Sequence, residues 1–331
     1  MSRPKVALIG TGGTISSLGA DGFDSQDYGR HGRMMTGAQV LEMFPRLSEL
    51  AEIVPVDFPP IPSTAMEFGQ WKMLVEKIDD LAADPEMAGV VILHGTASME
   101  ETAYALTLSV KSDLPVVITG AQRPASAIST DAEANMIASI RTVLSPEARG
   151  LGVLVCLNEE IQAAREVTKT SVWRLQTFRT PDFGALGHAD VHGVAVYRHP
   201  VRRHTTATEF DIRSLEALPR VDISYCYAGV DGAAVRAFVA AGAKGIVSAG
   251  FAPGMTAPLE HAALAEAVSS GVTVIQSTRA GSGRVANLSG LRNTGILPGD
   301  NLNPQKARIL LAFALSVTED PTEIARIFAT Y

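Results

Sequence analysis

Gly89-Val-Val-Ile-Leu93 runs directly into His94-Gly-Thr96, and a stretch of helical character from Met99 to Ser109 follows. The first segment is apolar at successive positions, which is typical of a parallel strand that is covered on both faces. Similar apolar runs stand at Val6–Ile9, Pro115–Thr119 and Gly152–Leu157. Because helical stretches separate several of these runs, we expect an α/β fold with a doubly wound, mostly parallel sheet in the larger, N-terminal domain.

The alternation of apolar runs and helical stretches resumes after residues 201–220, a polar, Thr-rich segment without clear hydrophobic periodicity. Apolar runs at Val221–Tyr225, Gly245–Ser248 and Val272–Gln276 then alternate with helical stretches. We therefore predict an N-terminal α/β domain over 1–200, a linker over 201–220 and a smaller α/β domain over 221–331.

Composition excludes several classes of protein. The chain has 331 residues, of which 46% are hydrophobic and 19% charged, and its formal net charge is −7. A negative charge without a basic stripe disfavours binding to nucleic acid. No apolar run approaches the roughly 18 to 20 residues that a membrane span needs. The N-terminus enters the first strand after Lys5 and has no signal-peptide pattern, so we expect a cytoplasmic protein.

The cysteines and histidines give no pattern typical of a metal site. Cys156 and Cys226 each lie in an apolar run, so buried free thiols are expected rather than a disulfide. His188 and His192 are four residues apart, but no carboxylate stands at motif spacing, which disfavours a metal role.

Hydroxyl side chains follow three of the predicted strands: Thr11 and Thr14, Thr96 and Ser98, and Thr119. Ligands bind at such carboxyl ends of parallel strands. The first of these loops contains Gly10, Gly12 and Gly13, but it matches neither the dinucleotide fingerprint nor a P-loop. By spacing alone, a structural turn is therefore as good an interpretation as a functional loop.

A threonine acts as a nucleophile only when a base removes its proton and donors stabilise the resulting oxyanion. A lysine whose pKa is lowered by burial, or a tyrosine, can be that base. Lys169 stands alone among hydroxyl residues in Val167-Thr-Lys-Thr170. Without further information, a solvated loop lysine is the alternative interpretation.

Five motifs together resemble the bacterial-type L-asparaginase/glutaminase family, in the order and spacing of that family: Gly10-Thr-Gly-Gly-Thr-Ile15, His94-Gly-Thr96 with Met99–Tyr104, Gly120-Ala-Gln-Arg-Pro124, Val167–Thr170 and Leu302–Arg308. They span essentially the whole chain. The resemblance implies two asparaginase-like α/β domains, no metal or organic cofactor, and a homotetramer built from intimate dimers with each active site at a subunit interface. It also implies hydrolysis of a side-chain amide to a carboxylate and ammonia through an acyl-enzyme on threonine.

Matched residue by residue, the resemblance assigns roles to eight positions. Thr14 and Thr96 match the two catalytic threonines, Lys169 the lysine paired with the second, and Tyr28 the tyrosine of the mobile lid. The substrate-binding positions are Ser63, Thr64, Gly95 and Ala97. Backbone N–H groups around Thr96 would then bind the oxyanion, and Ser63 would hold the α-carboxylate of the substrate.

Several positions depart from the family pattern, among them Ser98, where the family has a threonine. Ala97 stands where the family has the aspartate that anchors the α-ammonium group, Thr64 stands where a glutamine is common, and Ala252-Pro-Gly-Met255 replaces an Asn-containing turn. Burying an ammonium group without a counter-charge is costly. The departures fit either an ordinary asparaginase with a compensating carboxylate elsewhere, or an engineered Asp→Ala variant, or an enzyme whose substrate lacks the α-amino group.

We therefore expect an asparaginase-type amidohydrolase that needs no cofactor and acts on L-asparagine or a related small amide. The first alternative is a hydrolase of the same chemistry for a small amide, cyclic imide or lactone without an α-amino group. The second is a non-catalytic small-molecule sensor on the same scaffold. A nicotinamide-dependent oxidoreductase ranks lower, because the fingerprint fails.

Overall fold

The computed structural model describes residues 3–32 and 34–331, which divide into two compact units, the first ending at Thr208 and the second comprising Glu209–Tyr331. The boundary between the units lies inside the segment 201–220 that the sequence predicts as a linker. Across the described residues, no helix is both long enough and apolar enough to cross a membrane.

The first unit is built on an eight-stranded sheet with the order β10-β9-β6-β5-β4-β3-β1-β2. Its strands are β1 (Lys5–Gly10), β2 (Glu52–Val56), β3 (Met87–Leu93), β4 (Val116–Thr119), β5 (Val153–Leu157), β6 (Glu160–Ala163), β9 (Gly187–Asp190) and β10 (Gly193–Val196), and a separate two-stranded ribbon consists of β7 (Thr168–Lys169) and β8 (Phe178–Arg179). The helices are α1 (Gly37–Met43), α2 (Phe68–Ala82), α3 (Met99–Ser109) and α4 (Ala132–Leu144).

The five strands β1 to β5 pair in parallel, as the apolar sequences of β1, β3, β4 and β5 predict. Leu8, Val91 and Val117 belong to a core cluster shared with residues of α1 and α4. Their neighbours in sequence point to the opposite face and are equally inaccessible, as at Ile9 and Ile92. Burial on both faces confirms the expected doubly wound, mostly parallel sheet.

Antiparallel pairing extends this sheet on one side, which the sequence analysis did not predict. Strand β6 pairs antiparallel with β5 and with β9, and β9 forms a hairpin with β10. These strands are four residues long, and every residue of β10 is only half-buried. Short strands with weak alternation give little periodic signal.

The second unit contains a parallel four-stranded sheet in sequential order, formed by β11 (Val221–Tyr225), β12 (Gly245–Gly250), β13 (Thr273–Thr278) and β14 (Leu297–Pro298). Its helices are α5 (Ala233–Ala240), α6 (Pro258–Ser269), α7 (Ser289–Thr294), α8 (Pro304–Leu315) and α9 (Pro321–Thr330). Helix α8 packs across β11, β12 and β13. The expected second, smaller α/β domain is confirmed.

Candidate active site

A pocket of about 430 Å³ in the first unit opens where β1, β3 and β4 end, and these three strands are neighbours in the sheet. Its walls include every residue that the sequence analysis assigned to catalysis or substrate binding: Thr14, Tyr28, Ser63, Thr64, Gly95, Thr96, Ala97 and Lys169. Residues that are far apart in the chain meet here because the carboxyl ends of parallel strands share one edge of the sheet.

Thr14 begins a 3₁₀ turn directly after β1 and the glycines that follow it. Its Oγ1 lies 2.7 Å from the Tyr28 hydroxyl, and the two groups share a hydrogen bond. Tyr28 itself begins a second 3₁₀ turn, Tyr28–His31, so both partners come from irregular segments. The pair can pass a proton between two hydroxyl oxygens at the wall of the pocket.

The loops after β1 and β3 touch through glycine. Gly13 has a φ of +85°, and a Cβ atom at this position would lie 2.1 Å from the Cα of Gly95. A Cβ at Gly95 would in turn lie 2.5 Å from the Ser63 hydroxyl oxygen. Only glycine allows this close approach, which brings Thr14 and Thr96 to the same pocket.

Thr96 and Lys169 form the second hydrogen-bonded pair of the pocket. The Lys169 ammonium nitrogen donates to Thr96 Oγ1 at 2.7 Å, and the Lys169 backbone is held in the ribbon opposite Phe178. Burial lowers the pKa of Lys169 from its ordinary value. A larger fraction of the Lys169 side chains is therefore neutral. A neutral amine can accept the proton of a hydroxyl group or of water.

Glu100 fixes the backbone around Lys169 from helix α3. Its Oε1 accepts from the Thr168 hydroxyl at 3.1 Å and from the Lys169 N–H at 3.4 Å, and the side chain is only 6% exposed. No motif in the sequence points to a role for Glu100. It acts on the site through the position of Lys169, since it does not line the pocket itself.

Ser63 and Thr64, which lie in a 3₁₀ turn, and Ala97 form another part of the pocket wall. Ser98, next to Ala97, donates to the carbonyl of Ser63 at 2.6 Å and ties the two segments together. Among the described residues that line the pocket, Lys169 carries the one charged side chain, and there is no aspartate or glutamate. A carboxylate that would balance an ammonium group is thus not supplied by this part of the wall.

His94 holds the loop that follows β3 through the carbonyl of Gly95. Its ring is fully buried, and Nδ1 donates to the carbonyl of Gly95 at 2.7 Å. Burial lowers the pKa of His94 to about 4, so the ring is neutral near pH 7. The neutral ring fixes the Gly95 peptide, whose neighbourhood would provide oxyanion donors.

The pocket has further wall residues that the sequence analysis did not single out: Met34, Gln122, Val172 and Trp173. Gln122 stands in the Gly120–Pro124 motif, directly after β4, so its position at a strand end was a usable signal. Val172 and Trp173 are large, exposed apolar side chains of the connection between β7 and β8. Their place in the pocket depends on tertiary packing that no local pattern reveals.

Other residues considered in the sequence lie elsewhere. Cys156 and Cys226 are buried and free, as predicted. The ring of His188 packs edge-on against Tyr197 on the β9–β10 hairpin. Over residues 3–32 and 34–331, no group of three His, Cys, Asp or Glu residues is arranged to hold a metal ion. Met255 lies in a turn of the second unit and is 49% exposed.

Comparison with known proteins agrees with this arrangement. Residues 5–202 match the asparaginase N-terminal family model, and residues 220–328 match the glutaminase/asparaginase C-terminal domain. The chain is 37% identical to L-asparaginase 2 of Bacillus subtilis, over 99% of this chain and 87% of that protein. It is 36% identical to a glutaminase-asparaginase of Pseudomonas fluorescens biotype A, over 98% and 90% of the two chains.

A solved structure gives the same result. The probable cytoplasmic L-asparaginase from Campylobacter jejuni superposes with a TM-score of 0.94, at 37% identity, over 100% of both chains. The match covers both α/β units. The chain belongs to the bacterial L-asparaginase/glutaminase family and is an asparaginase-type amidohydrolase, a hydrolase that acts on amide C–N bonds.

Proposed function

We propose that this pocket hydrolyses the side-chain amide of L-asparagine, or of a related small amide, to a carboxylate and ammonia through an acyl-enzyme on threonine. The observation that carries the proposal is the pair of 2.7 Å contacts in one pocket, from Thr14 to Tyr28 and from Thr96 to Lys169. Each contact joins a nucleophilic hydroxyl to a group that can take its proton.

In the first step a threonine oxygen attacks the amide carbon, and the C–N bond breaks when the nitrogen leaves as ammonia. The hydroxyl proton passes to the paired base and from there to the leaving nitrogen. In the second step the base takes a proton from water, and the resulting hydroxide attacks the ester carbon. The bond between that carbon and the threonine oxygen breaks, and the proton returns to the threonine. The backbone N–H groups at Gly95 and Thr96 bind the oxyanion that forms in both steps.

The Lys169 amine serves whichever step passes through Thr96, either by taking the Thr96 proton or by activating water beside it. Its lowered pKa supports this role, because the amine must be neutral to accept a proton. Tyr28 is the proton-transfer partner of Thr14, because the two hydroxyl oxygens share a hydrogen bond of 2.7 Å. The first test is ammonia release by Thr14→Val and Thr96→Val variants, and persistent turnover in both would refute the proposal.

Ser63 and Thr64 bind the carboxylate of the substrate in this scheme, since both residues line the same pocket as the catalytic pairs. A second candidate substrate follows from Ala97. With no acidic side chain among the described lining residues, a substrate without an α-amino group fits the pocket as well as L-asparagine does. Cyclic imides and lactones without that group belong to the same class.

A matched pair of substrates separates the two candidates. Succinamate is L-asparagine without the α-amino group, so the ratio of its kcat/KM to that of L-asparagine measures how the enzyme treats the ammonium. A ratio well below one supports an amino-acid amidohydrolase, and a ratio above one supports the second candidate. Calorimetric binding of either compound without ammonia release would instead indicate a sensor.

We further propose that the protein is a cytoplasmic homotetramer, built from intimate dimers, in which residues 1–200 form the catalytic domain and 221–331 the second domain. The family membership of both units and the cytoplasmic relative from Campylobacter jejuni support this proposal. Light scattering after size-exclusion chromatography measures the mass of the assembly, and cell fractionation its compartment. A stable, active monomer would contradict the tetramer.

A further inference from the structure

The carboxamide of Gln122 connects two parts of the site, Thr96 and the β7–β8 connection. Gln122 follows β4, and its Oε1 accepts from the Thr96 hydroxyl at 3.0 Å. Its Nε2 donates to the carbonyls of Val172 at 3.1 Å and Arg174 at 3.3 Å. The side chain therefore touches the threonine on one side and the β7–β8 connection on the other.

The orientation of the carboxamide follows from these partners. Two backbone carbonyls lie on one side, so that side must carry the NH₂ group, because an oxygen there would face two other acceptors. The main chain is fixed as well, since the backbone N–H groups of Gln122 and Arg123 both donate to the carboxylate of Asp131. Oε1 thus faces Thr96.

This orientation decides where the Thr96 proton points. Thr96 has one hydroxyl proton, which it donates to Gln122, while its oxygen accepts from the Lys169 ammonium group. This arrangement favours the charged form of Lys169, because an ammonium donor binds the Thr96 oxygen more strongly than a neutral amine does, and the lone pair of a neutral amine would find no donor in Thr96. A neutral Lys169 can accept the Thr96 proton, but the hydroxyl must then turn away from Gln122 and that hydrogen bond is lost.

We propose that Gln122 is a positioning residue that holds the Thr96 proton away from Lys169 and thereby sets the pH at which this pair becomes reactive. The inference rests on the proposed roles of Thr96 and Lys169. Gln122 stabilises the ammonium form, so it opposes the effect of burial on Lys169. Transfer of the proton then needs only rotation of the hydroxyl, with no movement of heavy atoms.

The titratable groups around the pair come from several elements. Glu100 of α3 accepts from the Lys169 backbone N–H, and Tyr28 lines the same pocket next to Thr14. Asp131, which precedes α4, holds the backbone of Gln122. A change confined to the Gln122 side chain leaves these groups in place, so its effect reports the carboxamide.

The test compares pH profiles of kcat/KM for the parent protein, Gln122→Met, Gln122→Glu and a control, Gln176→Met. Methionine is unbranched, as glutamine is, and removes the acceptor, so we expect the acid limb to move to lower pH by about 0.7 unit, the equivalent of about 1 kcal/mol. Glutamate adds a negative charge beside the ammonium group and should move the limb to higher pH. Gln176 contacts Glu160 and Arg179 instead of Thr96, so its variant should keep the parent profile.

A Gln122→Met profile that coincides with the parent, or that moves to higher pH, overturns the inference. A second readout that needs no turnover is competitive acetylation of the Lys169 amine, followed by mass spectrometry across the same pH range. Its midpoint should shift in the same direction as the kinetic limb, and an unchanged midpoint also overturns the inference. If Gln122→Met does not fold, Gln122→Leu replaces it, because leucine also lacks the acceptor oxygen and the same shift to lower pH is expected.

Failure of the proposed function gives a different result. If the Lys169→Met and Thr96→Val variants retain turnover, the proposed reaction scheme is refuted, independently of the pH profiles of the Gln122 variants. If both are inactive and the Gln122→Met profile does not move, the reaction scheme stands and only the role of Gln122 is refuted.

Discussion

Acidification should destabilise the first unit through His94. The ring is fully buried and its pKa is lowered by burial to about 4, whereas an unfolded chain has the ordinary value of about 6.5. Between these values the unfolded state binds a proton that the folded state does not, so the free energy of unfolding falls as the pH falls. A difference of about 2.5 units corresponds to about 3 kcal/mol, all of it present above pH ~6.5 and lost by pH ~4.

The comparison uses His94→Asn, because an asparagine amide can reach the carbonyl of Gly95 as Nδ1 does but does not titrate. Urea unfolding of both proteins at pH 7.5, 6, 5 and 4.5 gives the free energy of unfolding for each. Between the highest and lowest pH, the parent should lose about 2 to 3 kcal/mol more than the variant. Parallel losses in the two proteins would refute the assignment of a buried, neutral His94.

Three further substitutions test the site. Lys169→Arg keeps the charge but cannot deprotonate, so kcat/KM should fall by about 10²- to 10⁴-fold while the melting temperature stays close to that of the parent; a small kinetic effect would contradict a proton-accepting role. Tyr28→Phe removes the hydroxyl that lies 2.7 Å from Thr14 Oγ1, so kcat should fall by about 10²-fold or more. An unchanged kcat would show that Tyr28 is not the proton-transfer partner of Thr14. Gly13→Ala places a Cβ 2.1 Å from the Cα of Gly95 at a φ of +85°, so the free energy of unfolding should fall by more than about 1 kcal/mol and ammonia release should drop; normal stability would refute the close approach of the two loops.

Regular apolar segments of the fold are predictable from the sequence. The predicted helix Met99–Ser109 and strand Val221–Tyr225 have the same bounds in the structure. Helix α2 was not predicted, although Trp71, Leu74, Val75 and Ile78 form a buried helical stripe that is visible in the sequence. Strand β2 gave a weaker signal, because Pro55 and the exposed Glu52 suit an edge strand.

The residues of the candidate site were largely predictable from the sequence, but the contacts between their side chains were not. Hydroxyl residues at strand ends follow from the α/β pattern, and the family resemblance added Tyr28 and Ser63. The contacts of Gln122 were not predictable, because its partners lie 26 residues before it and about 50 after it in the chain. Such hydrogen bonds depend on how loops meet above the sheet, and no local periodicity describes that meeting.

The central claim is that a threonine of this pocket forms a covalent bond to the acyl part of the substrate. Rapid acid quenching of the enzyme with L-asparagine or succinamate, followed by intact-mass measurement and peptide mapping, tests it directly. The account predicts an added acyl group on the peptide containing Thr14 or Thr96, formed in step with the first equivalent of ammonia. Release of that equivalent from protein of unchanged mass at every time point would contradict it.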